Sequence, residues 1–135
     1  MITIPQTAVA GGKIINHELT HVHREASVFE ASRVMRKSGR TELLVTDEVD
    51  GKLVPLGLVT ANDIVMHVIA AGLDPTVLTA GDISWPGMPA ANTEESDAVR
   101  LWFFQAHKEE AIAVLDGDGR LVGTVKLDGL VRKRH

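Results

Sequence analysis

The chain contains one short pattern twice: two apolar, β-prone runs joined by an Asp-Gly turn. Residues 41–60, TELLVTDEVDGKLVPLGLVT, turn at Asp50-Gly51, and residues 110–125, EAIAVLDGDGRLVGTV, turn between Asp116 and Gly119. Asp-Gly between alternating apolar runs is the strongest short-range hairpin signal, because the tight turn that matches strand twist needs positive φ. A duplicated hairpin restricts the fold severely. A unit of about 60 residues is only marginally stable alone, so a chain of 135 residues reads as two half-sized repeats that share a core. With 44% hydrophobic and 24% charged residues, such a core is available.

Each hairpin follows a helix-like stretch. Ser27-Val28-Phe29-Glu30 has the form of a capping box, so a helix is predicted from Val28, with Val28, Ala31, Val34 and Met35 on one face and Gly39 as its stop. In the second copy Asn92-Thr93-Glu94-Glu95 is the predicted start, and Ala98, Leu101, Trp102 and Gln105 continue the face. A further short helix follows each hairpin, Asn62 to Ala71 and about Leu127 to Lys133, the first stopped by Gly72 and Asp74-Pro75. Each copy therefore reads strand, helix, strand, strand, helix. Residues 1–14 are a lead-in, 15–75 the first repeat and 76–135 the second, which Trp85-Pro86-Gly87 opens with a rigid turn.

The residues most suggestive of chemistry are Gly57-Leu58-Val59-Thr60-Ala61-Asn62-Asp63-Ile64, where a strand runs straight into a helix. Free amides of a first helical turn favour an anion. Thr60 offers a hydroxyl at the cap, and Asp63 is an acceptor suited to the two hydroxyls of a ribose. The same four residues also satisfy a plain capping box, Thr60 as N-cap and Asp63 as its acid.

The order of elements, the duplication and this junction together resemble the cystathionine-β-synthase (CBS) domain family, whose repeats carry Gly-x-hydrophobic-Ser/Thr-x-x-Asp between last strand and last helix. Ala80-Gly81-Asp82-Ile83 is similar to the family's usual lead into a second repeat, and the resemblance spans about residues 15–134. It implies an α+β fold, a CBS-domain pair of two tandem β-α-β-β-α repeats packed about a pseudo-twofold axis with two ligand clefts. It also implies an adenine nucleotide ligand, AMP, ADP or ATP, or S-adenosylmethionine. On this resemblance the ribose-binding acid maps to Asp63 and the hydroxyl residue to Thr60. The adenine falls against Thr20, His21 and Val22 and against Leu43 and Leu44.

The second copy departs from the pattern. It reads Gly123-Thr124-Val125-Lys126-Leu127-Asp128-Gly129-Leu130, with Lys126 in place of Ser or Thr and Gly129 in place of Asp. Asp128 is one position early, a rotation of about 100° on a helix. One competent cleft is therefore expected, in which Lys126 either reaches a bound phosphate or stays solvated at its strand end.

Other signals are weaker. His17, His21 and His23 cluster, and His21-x-His23 on a strand puts two imidazoles on one side, but a third ligand to that pair is not obvious, so no metal site is expected there. His67, four residues after Asp63, shares its helix face and either touches a ligand phosphate or is a partly buried helix histidine. Asp116-x-Asp118-Gly119 fails as a calcium loop because Arg120 and Leu127 occupy ligand positions. Trp102-Phe103-Phe104 suggests burial against two surfaces, one of them a homodimer interface. There are no cysteines, no Gly-x-Ser-x-Gly elbow and no Gly-x-x-x-x-Gly-Lys-Ser/Thr loop, so no catalytic residue is assigned.

The net charge of −4 argues against a nucleic-acid partner, and Arg132-Lys133-Arg134 reads as a solvated helix end. The stretch Ile64 to Leu73, broken by His67, is too short and polar for a membrane span. The expectation is a cytoplasmic, non-enzymatic, homodimeric nucleotide sensor without a cofactor, acting on a separate partner. The alternative is a ligand-free pair serving as a dimerisation or protein-interaction scaffold, and a metal-assisted enzyme using the histidines is a third reading.

Overall fold

The computed structural model describes residues 2–4, 20–92 and 99–126. The described elements run β1 (Ile2–Ile4), β2 (His21–His23), α1 (Val28–Ser38), β3 (Glu42–Val49), β4 (Lys52–Thr60), α2 (Ala61–Ile64), a π-helical turn (Val65–Ile69) and a 3-10 turn (Gly81–Ile83). They continue with β5 (Trp85–Pro86), β6 (Met88–Asn92), β7 (Val99–Ala106), β8 (Glu109–Asp116) and β9 (Leu121–Lys126). They form an α+β fold of two sheets, ordered β2-β3-β4-β5 and β1-β6-β7-β8-β9. β1, from the lead-in, pairs in parallel with β6 and so belongs to the sheet of the second half.

The first half follows its sequence closely. Ser27 Oγ accepts from the Glu30 amide at 3.0 Å to start α1, and Gly39, at φ 72°, donates its amide to the Met35 carbonyl at 2.8 Å to end it. Asp50 and Gly51 both take positive φ, as the β3–β4 hairpin requires. Two apolar layers clasp the first sheet. Leu43, Val45 and Val59 face Val28, Ala31 and Met35 of α1 and Ile64 and Val68 beyond β4. Their neighbours Leu44 and Leu58 face the other way, onto Phe104, Ala106 and Ala113 of the second sheet. Period-two alternation thus divides β3 between two cores, which is why its run from Glu42 to Thr46 is buried throughout.

In the second half one expectation is overturned. Leu101, Trp102 and Gln105, read as one face of a helix, stand in strand β7, paired with β8 in the register Trp102↔Ala113 and Phe104↔Ala111. Aromatic residues side by side suit a pleated surface better than a helix. A strand also explains apolar residues on opposite sides: Trp102, Phe104 and Ala106 turn to the first sheet while Leu101 and Phe103 are buried on the other face. The aromatic cluster is therefore engaged within the chain and not left for a dimer partner. The expected helix start, apart from Asn92 in β6, and the last helix from Leu127 lie outside the described residues. Among the described residues, no helix is long and apolar enough to cross a membrane.

Candidate functional site around Asp63

The strand-to-helix junction is built as a capping box. Thr60, extended at φ −118° and ψ 157°, accepts from the Asp63 amide at 3.1 Å, and Asp63 Oδ2 accepts from the Thr60 amide at 3.2 Å and the Thr60 hydroxyl at 2.7 Å. Both residues are buried, Asp63 completely. Two groups distant in sequence complete its surroundings. The Trp85 indole donates to Oδ2 at 3.0 Å, and His107 Nε2 lies 2.8 Å from Oδ1, with His67 Nε2 at 3.8 Å from that same oxygen. The Trp85 and His107 rings meet edge to face at 5.6 Å.

The local sequence explains how these groups reach Asp63. Gly57 opens the motif because Ser84 and Trp85 lie directly against it. A Cβ there would stand 2.6 Å from Ser84 Oγ and 3.0 Å from the Trp85 carbonyl. That close approach lets β5 pair with β4 in the register Leu58↔Trp85 and swing the indole over the helix start. Residues leading to β5 are tied down by Ala80 to Ala26 and Gly81 to Arg24 backbone bonds. His107 comes from the β7–β8 turn of the other sheet, where it holds a left-handed φ of 57°.

Burial raises the pKa of Asp63, but bonds from His107, Thr60 and Trp85 outweigh it, and the carboxyl is held below its ordinary 3.8. Asp63 is thus an anion with Oδ2 anchored by three donors and Oδ1 facing two imidazoles.

In front of this junction lies a cavity of about 370 Å³ lined by Thr41, Thr60, Asn62, His107, Lys108 and Glu109. Its volume falls within the usual range of small-molecule sites, and its walls come from both halves of the chain. A larger groove of about 550 Å³ runs along α1, lined by Glu30, Arg33, Val34, Arg36 and Lys37. It contains no residue of the motif and is walled by long solvent-facing side chains, so the cavity at Thr60 is the stronger candidate.

The sequence-selected residues separate into groups. Thr60 lines the cavity and Asp63 stands immediately behind it. Val22 and Leu43 lie in the core under α1, and Leu44 is sealed between the sheets by Phe104 and Ala106. The cause is the second sheet, whose strand β7 lies against β4 and β5 and brings Phe104 and Ala106 onto Leu44 and Leu58. Thr20 accepts the Leu44 amide through its carbonyl, and His21 is exposed, 3.4 Å from the Thr46 hydroxyl. His23 reaches Asp47 at 3.2 Å. Lys126 closes β9 opposite Ala111, and its side chain lies outside the described residues, as do His17 and Asp128. The sequence reading did not select Thr41, Trp85, His107, Lys108 or Glu109 for the site. The last three stand in the β7–β8 turn, which the helix expected in place of β7 concealed.

Residues 11–70 match the family model of the CBS domain. An uncharacterized protein of Methanopyrus kandleri is 23% identical over 129 residues, 93% of this chain, and the chain spans 62% of that relative's length. Among solved structures, the fold is similar to a conserved CBS domain protein of unknown function from Thermoplasma acidophilum. That match has a TM-score of 0.58 at 21% identity and covers 89% of this chain and 68% of that one. A proposed signal-transduction protein with CBS domains from Burkholderia ambifaria matches over 93% of each chain, with a TM-score of 0.54 and 18% identity.

Proposed function

We propose that this chain, whose residues 11–70 match the CBS domain family and whose fold is like that of solved CBS-domain proteins, is a non-catalytic regulatory module that binds an adenosine phosphate. In this reading AMP, ADP, ATP or S-adenosylmethionine occupies the cavity at Thr60 and biases how the two halves sit together, and a separate cytoplasmic partner reads that change. The observation that carries it is the composition of the cavity wall: the motif's Thr60 and Asn62 on one side, Lys108 from the other half on the opposite side. Lys108 takes the phosphate role that sequence had offered to Lys126. A ribose reaches Asp63 Oδ1 by taking the place of the His107 donor, so uptake is coupled to the β7–β8 turn. The module's effect on its partner is then limited to its differential affinity for the two arrangements.

The second reading, a ligand-free self-associating scaffold, is favoured by one observation. Asp63 already has its hydrogen bonds met by Thr60, Trp85 and His107, which leaves a ribose to compete for it. Both readings accommodate a homodimer. Val65, Met66, Ile69 and Leu73 are each about half exposed and follow one another along the turn after α2, a strip fit for a second copy.

Thermal shift against AMP, ADP, ATP, S-adenosylmethionine and NADH separates the two. At a hundredfold excess over Kd a bound ligand raises stability by about 2.7 kcal/mol. One of the adenosine compounds is expected to do so, and Lys108→Ala is expected to weaken a phosphate-bearing ligand by roughly tenfold or more while leaving the unliganded melting temperature unchanged. Silence across the panel supports the scaffold and overturns the sensor.

A further inference from the structure

Two of the chain's six histidines converge on one oxygen. Asp63, His67 and His107 each offer one ligand atom within 4.8 Å of the others, with His107 Nε2 at 2.8 Å and His67 Nε2 at 3.8 Å from Asp63 Oδ1. We propose that these three atoms bind one divalent first-row metal ion of the zinc class, linking the turn after β4 to the β7–β8 hairpin of the other sheet. The inference stands on this geometry and does not rest on the nucleotide reading.

The donor set is the first argument. Two imidazoles and one carboxylate suit zinc-class cations, and three protein ligands leave a position open. The distances are the second. Donor atoms of a tetrahedral site with bonds of about 2.1 Å stand about 3.4 Å apart, and the two observed separations fall on either side of that value. Small side-chain movements close the shell, and His67 and His107 are free to make them at 58% and 38% exposure.

Asp63 supplies the third argument. Its Oδ2 is fixed by the Thr60 amide, the Thr60 hydroxyl and the Trp85 indole, while Oδ1 is presented to the histidines. That division of labour is what orients a metal-ligating carboxylate through its outer partners.

The test uses the full chain stripped of metal, with Co2+ and then Zn2+ as the only added ligands. One Co2+ per chain is expected, with visible ligand-field bands that Zn2+ abolishes by displacement. His67→Ala and His107→Gly are each expected to weaken binding by more than about 100-fold, beyond the 10- to 100-fold typical of outer partners. His107→Gly keeps the left-handed backbone of the turn and so the metal-free fold, with His107→Asn as a second variant that adopts the same φ. The double variant His21→Ala/His23→Ala is expected to bind as the parent does. Absence of a stoichiometric Co2+ spectrum overturns the proposal, as does binding that survives loss of His67 and His107.

Discussion

Replacing Asp63 by alanine is expected to destabilise the fold by about 3 kcal/mol, well above the roughly 1 kcal/mol that an ordinary helix cap contributes. The carboxylate is wholly buried and accepts from the Thr60 amide, the Thr60 hydroxyl and the Trp85 indole. Truncation leaves the buried Thr60 amide without its acceptor and removes the anchor of the half-exposed indole, and an orphaned buried donor is expensive. For a chain of this length that corresponds to a fall in melting temperature of roughly 12 °C. A loss near 1 kcal/mol would reduce Asp63 to a cap and remove Trp85 from the account. Asp63→Asn, which keeps one acceptor oxygen, is the better variant for binding studies because it perturbs the fold less.

The pH dependence of the same residue has a definite sign. Its folded pKa lies below the ordinary 3.8, so its contribution to stability is fully present above that value and is lost as pH falls through the lowered one. The stability gap between the parent protein and Asp63→Asn should be widest near neutral pH and close only below pH 4 or so. Denaturant titrations of both proteins across the acid range measure that gap.

The second large effect lies between the sheets. Phe104→Ala is expected to cost about 4 kcal/mol, since the ring is fully buried against Leu44, Leu58 and Ala113 and its removal leaves a cavity. Gly87 explains how close that packing is: a Cβ there would lie 2.4 Å from the Phe104 ring. Gly87→Ala alone is expected to cost about 2 kcal/mol through overpacking. In the double variant the clash has no ring to meet, so its cost should approach that of Phe104→Ala alone. Simple additivity in denaturant unfolding would contradict the contact, and with it the placement of β7 on the first sheet.

The first half was legible from sequence because its signals are local. Ser27, Gly39, Asp50-Gly51 and the Thr60/Asp63 pair each determine their own neighbourhood within four residues, and the structure shows each in that role. The run Leu101 to Ala106 was ambiguous. Apolar residues at 101, 102, 103, 104 and 106 fit two-sided burial by either period, and only pairing with β8, set by tertiary context, decides for the strand. The site was half legible for a related reason. Thr60 and Asp63 are announced by their spacing, whereas Trp85 and His107 reach them across 22 and 44 residues of chain. Gly57 made the first approach possible, yet its meaning is visible only once Ser84 and Trp85 are seen lying against it.

The central claim is that a nucleotide phosphate sits where Thr60 and Asn62 face the β7–β8 turn, and amide chemical-shift mapping during titration with ATP tests it most directly. The expected result is a set of saturable shifts concentrated at Thr41, Thr60, Asn62, His107, Lys108 and Glu109. Shifts confined to Arg33, Arg36 and Lys37 along α1, or no saturable shift at all, would contradict it.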